Sequence, residues 1–491
     1  MKILVLNTPF LPKFSRISRS PAKPKGATLY YPIWLAYATG VLEKEGFNVK
    51  LVDAPARCLS IEETIGLAKN YNPDLVVMDT STASIHSDVK IADEIKGSTG
   101  AFVVLVGTHP SALPEETLKL GKKFDAVARK EYDYTILDLA KTLDSGKSLK
   151  NVKGISFREG KKIIHNPDQP FITNLDELPF VSEVYKRHLK IEDYFYSANR
   201  HPVVTILSGR GCIYRCVFCL WPQTLTGHCY RLRSVEDVVD EMEYIKNTFP
   251  KVKEIFIEDD TLTVNRKRCQ ELSDLIVERK LDIIWSCNSR ADVDYETLKK
   301  MKEAGCRLLC VGFESGVQEI LNNIKKGITL KQIKQFMKDS KKAGILVHGC
   351  FILGMPGDTK ETVKKTVELA KMLNPDTAQF YPMMVYPGTE AYEWAKKNNY
   401  LLTEDYSKWV TKDGQHNTLV NRPNLSGQEL VDICDQARRE FYLRPKYIIR
   451  KGFQALTNSD ERKRILKSSK SFIKFLIKGT DKTENNSCTK C

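Results

Sequence analysis

The first 140 residues alternate short apolar runs, rich in β-branched side chains, with stretches of helical periodicity. The apolar runs predict strands at 2–6, 49–52, 74–78 and 101–107, and the periodic stretches predict helices at 34–44 and 86–96. Buried strands that alternate with helices are typical of a parallel α/β sheet with helices on both faces. We therefore predict a doubly wound domain over residues 1–140.

Polar residues follow several predicted strands of this domain. In a doubly wound sheet the ligand binds beyond the carboxyl ends of the strands, so these residues are candidates for a pocket rim. Each of them also suits an ordinary turn between a strand and a helix. The four segments lie at 7–9, 79–82, 107–110 and 129–131. The chain contains no GxGxxG sequence, so a nicotinamide or flavin dinucleotide site has little support.

A second alternation of strands and helices begins near residue 201. Residues 141–200 are irregular, with a predicted hairpin at 154–164 and several proline breakers, and we interpret them as a connector. The six predicted strands that follow lie at 203–207, 254–257, 283–287, 308–313, 346–352 and 377–383. Six such units over residues 201–392 predict a partial (β/α)6 barrel, with its chemistry at the carboxyl ends of the strands.

Residues 393–491 are predicted to form a helical C-terminal region. Of the net charge of +15, a surplus of nine lies between residues 444 and 478, where eleven Lys or Arg residues face two acidic ones. The helix from Arg464 to Lys478 has an apolar face. Two interpretations stay open: peripheral contact with a membrane surface, or a terminal helix docked on the barrel. We predict that the tail with Cys488 and Cys491 is disordered.

Length and composition fit a protein of two or three domains. The chain has 491 residues, 42% hydrophobic and 28% charged, and no run approaches the ~18 apolar residues of a membrane-spanning helix. The N-terminus lacks the features of a signal peptide. Thirteen cysteines, an odd number without a paired framework, suit a compartment where thiols stay reduced. We therefore predict a cytoplasmic protein, with peripheral contact at the inner face of the membrane as the open alternative.

The candidate chemistry lies on Cys212, Cys216 and Cys219, which follow the first predicted barrel strand with the spacing C-x3-C-x2-C. Three thiolates on one short loop suffice for three irons of a cubane cluster and leave the fourth iron open. An open coordination position is typical of a catalytic rather than a structural metal site. The alternatives are three buried thiols, or a zinc site with His228 or Cys229 as a further ligand.

This cysteine spacing, with an aromatic residue before the third cysteine, resembles the radical S-adenosylmethionine (SAM) superfamily. Further segments resemble the cobalamin-binding-domain class of radical SAM enzymes, and within it the hopanoid-biosynthesis-associated proteins of the HpnJ type. The similarity covers most of residues 1–445. The segments that carry it lie at 219–234, 258–263, 285–290, 311–316, 323–327 and 348–357, and include CLWPQT, ESG and NIKKG.

The resemblance implies roles for particular residues. It implies that Cys212, Cys216 and Cys219 bind a [4Fe-4S] cluster. The remaining positions, all implied to contact SAM, are Phe218 by its backbone at the adenine, Asp259 and Asp260 at the amine, Arg290 at the carboxylate, Glu314 and Ser315 at the ribose, and the glycine-rich stretch with Gly354. For the two aspartates a helix N-cap is the structural alternative, and for Arg290 it is a solvated ion pair.

The activity implied by the resemblance is reductive cleavage of SAM followed by hydrogen abstraction from an unactivated carbon. The implied substrate is a hopanoid or related membrane lipid, or its polyol or cyclitol headgroup, which undergoes ring contraction, rearrangement or methylation. The alternatives are a cobalamin-dependent methyltransferase acting on a non-lipid small molecule, and a non-catalytic iron–sulfur electron carrier. Cobalamin would bind without a histidine ligand, because the chain lacks a D-x-H-x-x-G sequence.

Two expectations about partners follow from this resemblance. A low-potential donor such as ferredoxin or flavodoxin would supply the electron. Nucleic acid is not expected as a substrate, because an RNA-modifying methylthiotransferase would need a second cluster in its N-terminal domain, where Cys58 is the single cysteine.

Overall fold

The computed structural model describes residues 1–480, and its N-terminal part is a seven-stranded sheet with helices on both faces. The strands are β1 (Lys2–Asn7), β2 (Asn48–Asp53), β3 (Leu75–Thr80), β4 (Phe102–Gly107), β5 (Ala126–Ala128), β6 (Ile155–Glu159) and β7 (Lys162–His165). The helices are α1 (Ile33–Lys44), α2 (Ile61–Tyr71), α3 (Ile85–Thr99), α4 (Thr108–Ala112), α5 (Pro114–Leu120) and α6 (Asp133–Asp144).

The strand order of this sheet is β2-β1-β3-β4-β5-β6-β7. The first five strands are parallel, which confirms the predicted doubly wound arrangement. The hairpin predicted at 154–164 forms β6 and β7, which pair antiparallel at the edge next to β5. The N-terminal sheet therefore extends to residue 165.

A second sheet of six parallel strands forms the partial barrel. After α7 (Val181–His188), its strands are β8 (Val203–Ile206), β11 (Glu254–Ile257), β12 (Trp285–Ser289), β13 (Cys306–Glu314), β14 (Leu346–Leu353) and β15 (Thr377–Pro382), with β9 (Gly209–Arg210) and β10 (Arg231–Leu232) as a small separate ribbon. The helices between them are α8 (Val235–Thr248), α9 (Arg266–Glu278), α10 (Tyr295–Glu303), α11 (Gln318–Asn323), α12 (Leu330–Ala343) and α13 (Lys360–Leu373). The strands follow one another in chain order around the sheet, as a (β/α)6 barrel requires.

Alternate residues of the barrel strands lie on opposite faces of the sheet. On the outer face, Phe313, Phe351 and Phe380 stack across three strands, with ring centroids 5.4 and 5.3 Å apart, and are covered by helices. On the inner face, Cys350 is half-buried and Gln379 is exposed. The two faces of this sheet therefore differ, with a packed aromatic layer outside and less buried side chains inside.

The C-terminal region is mostly helical. It contains α14 (Glu390–Lys397), α15 (Gly427–Tyr442), α16 (Pro445–Thr457) and α17 (Ser459–Lys478). Glu461 of α17 accepts a hydrogen bond of 2.9 Å from Arg307 at the start of β13, and Arg464 donates 3.0 Å to the carbonyl oxygen of Ser197. The first turns of α17 are therefore docked at the amino end of the barrel.

Two features of the C-terminal region bear on the sequence predictions. Among residues 1–480, no helix combines the length and the apolar content needed to cross a bilayer. The tail predicted to be disordered, with Cys488 and Cys491, lies outside the described residues.

Candidate active site

The three cysteines lie on one loop beyond the carboxyl end of β8. Gly211 starts this loop at φ +89°, and a Cβ atom there would lie 2.2 Å from the carbonyl oxygen of Cys229, so glycine is required. Cys216 is buried, and Cys212 and Cys219 are half-buried. Burial raises the pKa of Cys212 to about 11 and raises the pKa of the other two thiols as well. The thiols are therefore neutral at pH 7 until a metal displaces their protons.

Gln223, four residues after the third cysteine, holds the loop in shape. Its Nε2 donates to the carbonyl oxygens of Cys219 at 2.8 Å, Cys216 at 3.3 Å and Val217 at 3.3 Å. Its Oε1 accepts a hydrogen bond of 2.9 Å from the backbone N–H of Glu390 at the start of α14. One side chain thus fixes the cysteine loop to a helix that lies beyond the last barrel strand.

The proposed extra zinc ligands have other surroundings. His228 Nδ1 lies 3.1 Å from the carbonyl oxygen of Tyr214 and 3.3 Å from that of Cys212, and Cys229 is exposed. Across residues 1–480, no three His, Cys, Asp or Glu side chains converge closely enough to hold a single metal ion. A zinc ion needs its ligands within ~2.0–2.3 Å of one point, whereas a cubane cluster distributes its three thiolates over three irons.

The two aspartates after β11 have different environments. Asp259 is fully buried and accepts hydrogen bonds of 2.6 Å from the N–H and the hydroxyl of Ser208 and from the hydroxyl of Tyr230. Asp260 accepts a hydrogen bond of 3.1 Å from the hydroxyl of Thr226. Its negative charge lies close enough to Cys219 to add to the effect of burial in raising the pKa of that thiol. The structure therefore brings Asp260 to the cysteine loop and commits Asp259 to internal hydrogen bonds.

Arg290 lies beside the cysteine loop but is already engaged. Its guanidinium stacks on the ring of Tyr214, with Cζ 3.5 Å from the centroid. Its Nη2 donates to the carbonyl oxygens of Lys326 at 2.8 Å and Gly327 at 3.1 Å, and its Nε donates to Asp292 at 3.2 Å. Arg290 thus joins the cysteine loop to the NIKKG segment, and this bracing role differs from the solvated ion pair that was the structural alternative.

Glu314 and Ser315 follow β13 and point to different places. The Glu314 backbone has φ +63°, a left-handed conformation unusual for glutamate. Its Oε1 accepts 2.8 Å from Lys326 Nζ, while its buried Oε2 has no hydrogen-bond partner in the part of the chain that the structure describes. Ser315 instead contacts Thr366 of α13, with 3.3 Å between the hydroxyl oxygens. Glu314 is therefore the one of the pair with a free acceptor next to the barrel interior.

The last two predicted SAM contacts are Phe218 and Gly354. Phe218 is half-buried within the cysteine loop. The N–H of Gly354 donates 3.0 Å to Asp358, and a Cβ atom at Gly354 would lie 2.4 Å from Leu430 of α15. The close neighbour of Gly354 is thus a helix, and not the cysteine loop.

Arg19 of the N-terminal domain is a site residue that the sequence analysis missed. It lies in the long segment between β1 and α1, and its Nη2 donates to the carbonyl oxygens of Glu258 at 2.7 Å and Asp259 at 3.0 Å. Its Nη1 pairs with the Glu258 carboxylate, and its Nε lies 3.5 Å from Asp260. No spacing motif marks Arg19, so the sequence offered no signal for this contact between domains.

A small cavity lies between the N-terminal sheet and the cysteine loop. Its wall includes Asp79 and Gly107 from the carboxyl ends of β3 and β4, and Trp221, two residues after the third cysteine. Asp79 Oδ2 and the hydroxyl of Tyr132 are buried there without a hydrogen-bond partner among the described residues. Burial raises the pKa of Asp79 to about 8, so this carboxyl is mostly protonated at pH 7 and has a proton to donate.

This cavity marks the edge of the N-terminal sheet at which the cobalamin implied by the resemblance would bind. Its unpartnered hydroxyl and carboxyl groups suit the amide side chains of a corrin, and it lies where ligands of doubly wound sheets bind. The cavity is far smaller than a corrin, so binding requires the residues around it to move apart.

The predicted rim segment 129–131 does not face this cavity. Arg129 donates to Asp168 at 2.9 Å, and the Glu131 carboxylate accepts from both terminal nitrogens of Arg231 at 2.7 and 2.5 Å. Arg129 and Glu131 are buried, and each is paired with an oppositely charged side chain outside the cavity. The segment therefore joins the N-terminal domain to the connector and the barrel, which corrects its assignment to the pocket.

Comparisons with known proteins identify the family. The profile of the Radical SAM superfamily matches residues 206–370, and that of the B12 binding domain matches residues 25–140. An uncharacterized methyltransferase of Pyrococcus horikoshii is 33% identical over 456 residues, which cover 92% of this chain and 95% of the relative. The chain belongs to the radical SAM enzymes that carry a B12-binding domain.

A further relative and a solved structure are similar to the chain over most of its length. An anaerobic magnesium-protoporphyrin IX monomethyl ester cyclase of Rubrivivax gelatinosus is 26% identical over 90% of this chain and 79% of the relative. The structure of the radical SAM methyltransferase TsrM from Kitasatospora setae, with cobalamin and a [4Fe-4S] cluster bound, has a TM-score of 0.71 at 19% identity, and covers 96% of this chain and 99% of that chain. The radical SAM enzyme described here therefore uses a [4Fe-4S] cluster, SAM and cobalamin.

Proposed function

We propose that this radical SAM enzyme is a cobalamin-dependent methyltransferase that acts on a small molecule. The observation that carries the proposal is the position of Trp221. Its indole lines the cavity at the carboxyl ends of β3 and β4, and it follows Cys219 by two residues. A ligand in that cavity and a cluster on that loop would thus be neighbours, as methyl transfer to a substrate radical requires.

The similarity along the whole chain supports the same reaction type. The relative from P. horikoshii, which matches almost from end to end, is named a methyltransferase, and so is the TsrM structure. The hopanoid or other lipid substrate implied by the sequence resemblance has no support in these comparisons. They favour the alternative of a non-lipid small molecule.

Bound together, the cofactors supply a radical that removes hydrogen from carbon and a methyl group that replaces it. In our proposal, the three loop cysteines hold the cluster and Asp260 accepts a hydrogen bond from the SAM amine. Glu314 Oε2, which has no partner within residues 1–480, is available to a ribose hydroxyl. Trp221 and Trp34, whose rings pack edge to face at 5.3 Å, exclude water between the two cofactor sites. A low-potential donor such as ferredoxin or flavodoxin provides the electron.

The proposal is tested by following two products of SAM. Protein reconstituted anaerobically with iron, sulfide and hydroxocobalamin is incubated with SAM and dithionite. A methyltransferase of this type forms both S-adenosylhomocysteine, which reports methyl donation, and 5′-deoxyadenosine, which reports radical formation. Cys216→Ala should abolish 5′-deoxyadenosine, whereas Cys229→Ala, at an exposed thiol, should form both products.

Measuring both products distinguishes a failure of the proposed methyl transfer from a failure of the proposed radical chemistry. If 5′-deoxyadenosine forms without S-adenosylhomocysteine, the enzyme is not a methyltransferase, and if S-adenosylhomocysteine forms equally without cobalamin, the methyl transfer is not cobalamin-dependent. If the wild type forms neither product, the proposed radical chemistry is wrong as well.

A further inference from the structure

Helix α16 is attached to the barrel through its polar side chains, whereas an ordinary surface helix packs against the protein with its apolar side chains. Tyr447 donates 3.1 Å to the carbonyl oxygen of Asp376, and Arg450 donates 2.8 Å to that of Pro375. Lys451 is buried, and its Nζ lies 3.9 Å from Asp376. In most surface helices the apolar face packs inward and the polar face meets water. Here the polar and aromatic side chains face the protein.

The outward face of α16 is apolar. The relative exposure is 53% for Ile448, 72% for Ile449, 67% for Phe453 and 82% for Leu456. At 100° per residue these four positions fall within 140° of one another around the helix. Gly452 lies within the same arc and is also exposed. A continuous apolar face is therefore left without a covering element in the part of the chain that the structure describes.

Helix α17 continues this surface with a mixture of apolar and basic residues. Leu466, Ile473 and Ile477 are 62, 49 and 74% exposed. Lys463 and Lys470 are exposed on the same side of the helix. Of the thirteen exposed large hydrophobic residues in residues 1–480, seven lie on α16 and α17. This concentration separates the two helices from the scattered apolar residues that every protein surface carries.

We propose that α16 and α17 form a docking surface for an anionic lipid bilayer. The apolar face of α16 would enter the boundary between headgroups and acyl chains, and the lysines of α17 would contact lipid phosphates. The exposed Lys463, Lys470 and Lys478 match this partner, whereas Arg450, Lys451 and Arg464 are bonded to the barrel. A second copy of the chain matches less well, because protein interfaces are depleted in lysine at their core. The proposal concerns where the enzyme works and does not depend on the proposed methyl transfer.

Flotation with vesicles tests the surface on the full-length holoenzyme. We expect binding to vesicles that contain phosphatidylglycerol, little binding to pure phosphatidylcholine, and weaker binding as salt screens the lysines. Phe453→Glu with Leu456→Glu should lower the affinity at least about tenfold, because both apolar anchors are lost. Lys463→Glu with Lys470→Glu should lower it for phosphatidylglycerol vesicles.

A matched control uses Val277, a 51% exposed residue on α9. Val277→Glu adds the same charge at an exposed apolar position outside the proposed surface and should leave vesicle binding unchanged. All variants should retain the circular dichroism spectrum and the SAM cleavage rate of the wild type, because none of the substituted residues lies near the cysteine loop.

A different partner on the surface of α16 and α17 would give different results in these experiments. A wild type that does not float with either vesicle overturns the proposal. So does a wild-type dimer in light scattering that Phe453→Glu with Leu456→Glu converts to a monomer, since the surface would then be an interface between two copies. Equal loss of vesicle binding in Val277→Glu would overturn the assignment to α16 and α17.

Discussion

The guanidinium of Arg19 lies over the indole of Trp221, with its Cζ 4.0 Å from the ring centroid. Arg19 comes from the N-terminal domain, and Trp221 belongs to the CLWPQT segment that follows the cysteines. The same guanidinium also pairs with Glu258 and Asp260 at the carboxyl end of β11. One residue therefore joins the N-terminal domain, the cysteine loop and the barrel.

Replacing Arg19 should weaken the contacts between the N-terminal domain and the barrel and so lower the free energy of unfolding. Arg19→Ala leaves two buried carboxylates without their partner. Full loss of a buried partner costs ~3–5 kcal/mol, and because Arg19 is partly exposed we expect about 2 kcal/mol in the free energy of unfolding. Arg19→Lys should recover part of the charge but not the stacking on Trp221. Urea denaturation of the cofactor-free protein measures the effect.

The control for Arg19 is Arg187, whose ion pair with Glu43 lies at the surface. Arg187→Ala should cost less than about 1 kcal/mol, as exposed pairs do. Equal effects of the two alanine variants would show that Arg19 makes no special contribution.

Gln223 should control how well the cysteine loop retains iron. Gln223→Leu keeps the size of the side chain but removes donors to three loop carbonyls and the acceptor for Glu390. Loss of positioning groups around a metal site typically costs ~10–100-fold in affinity. We expect faster loss of iron to a chelator, followed by the absorbance of the cluster. Gln335→Leu on α12, an exposed position whose amide contacts Asp339 of the same helix, should behave like the wild type. Identical chelation rates for both variants would contradict the bracing role.

Much of the fold was predictable from sequence because it rests on local patterns. The strand at Glu254–Ile257 was predicted with its observed bounds, since a buried parallel strand is a short apolar run between polar residues. The strand predicted from Ile283 instead begins at Trp285. The N–H of Ile283 is bonded to the carbonyl oxygen of Leu281, so the chain joins the sheet only after that turn.

The site was less predictable from the sequence, because contacts between domains produce no periodic pattern of hydrophobic and polar residues. The three cysteines can be recognised as a site from their spacing in the sequence. Arg19 cannot, because its partner Glu258 lies more than two hundred residues further along the chain. The partners of Ser315 could not be inferred either, because its direction depends on the left-handed backbone of Glu314. The ligand contact suggested by the residue type stays a prediction, and the contact of Ser315 with Thr366 of α13 had no signal in the sequence.

The two neighbouring aspartates after β11 should respond differently to the same substitution. Asp259→Asn loses charge-assisted hydrogen bonds from Ser208 and Tyr230, so we expect about 1.5–3 kcal/mol lower stability. Asp260→Asn should cost less stability but weaken SAM binding by about tenfold, the value of one charged hydrogen bond. Urea denaturation and equilibrium dialysis with SAM separate the two effects. Weaker SAM binding in a folded Asp259→Asn protein, with none in Asp260→Asn, would reverse the assignment.

The stability of the cofactor-free protein should depend on pH through Asp79. Burial raises the pKa of this carboxyl to about 8, whereas an unfolded aspartate titrates near 3.9. Between these values the native state holds a proton that the unfolded state has released, so the contribution of Asp79 is complete below pH ~4 and declines as pH rises to about 8, by up to about 1.4 kcal/mol per pH unit. In Asp79→Asn the decline between pH 6 and 8 should disappear.

Asp53 provides the comparison, because burial raises its pKa to about 6. Asp53→Asn should make the decline between pH ~4 and 6 less steep and leave the decline between 6 and 8 in place. Urea denaturation across this pH range measures both variants, and a wild-type profile that stays flat between pH 6 and 8 would show that Asp79 is ionised in the native protein.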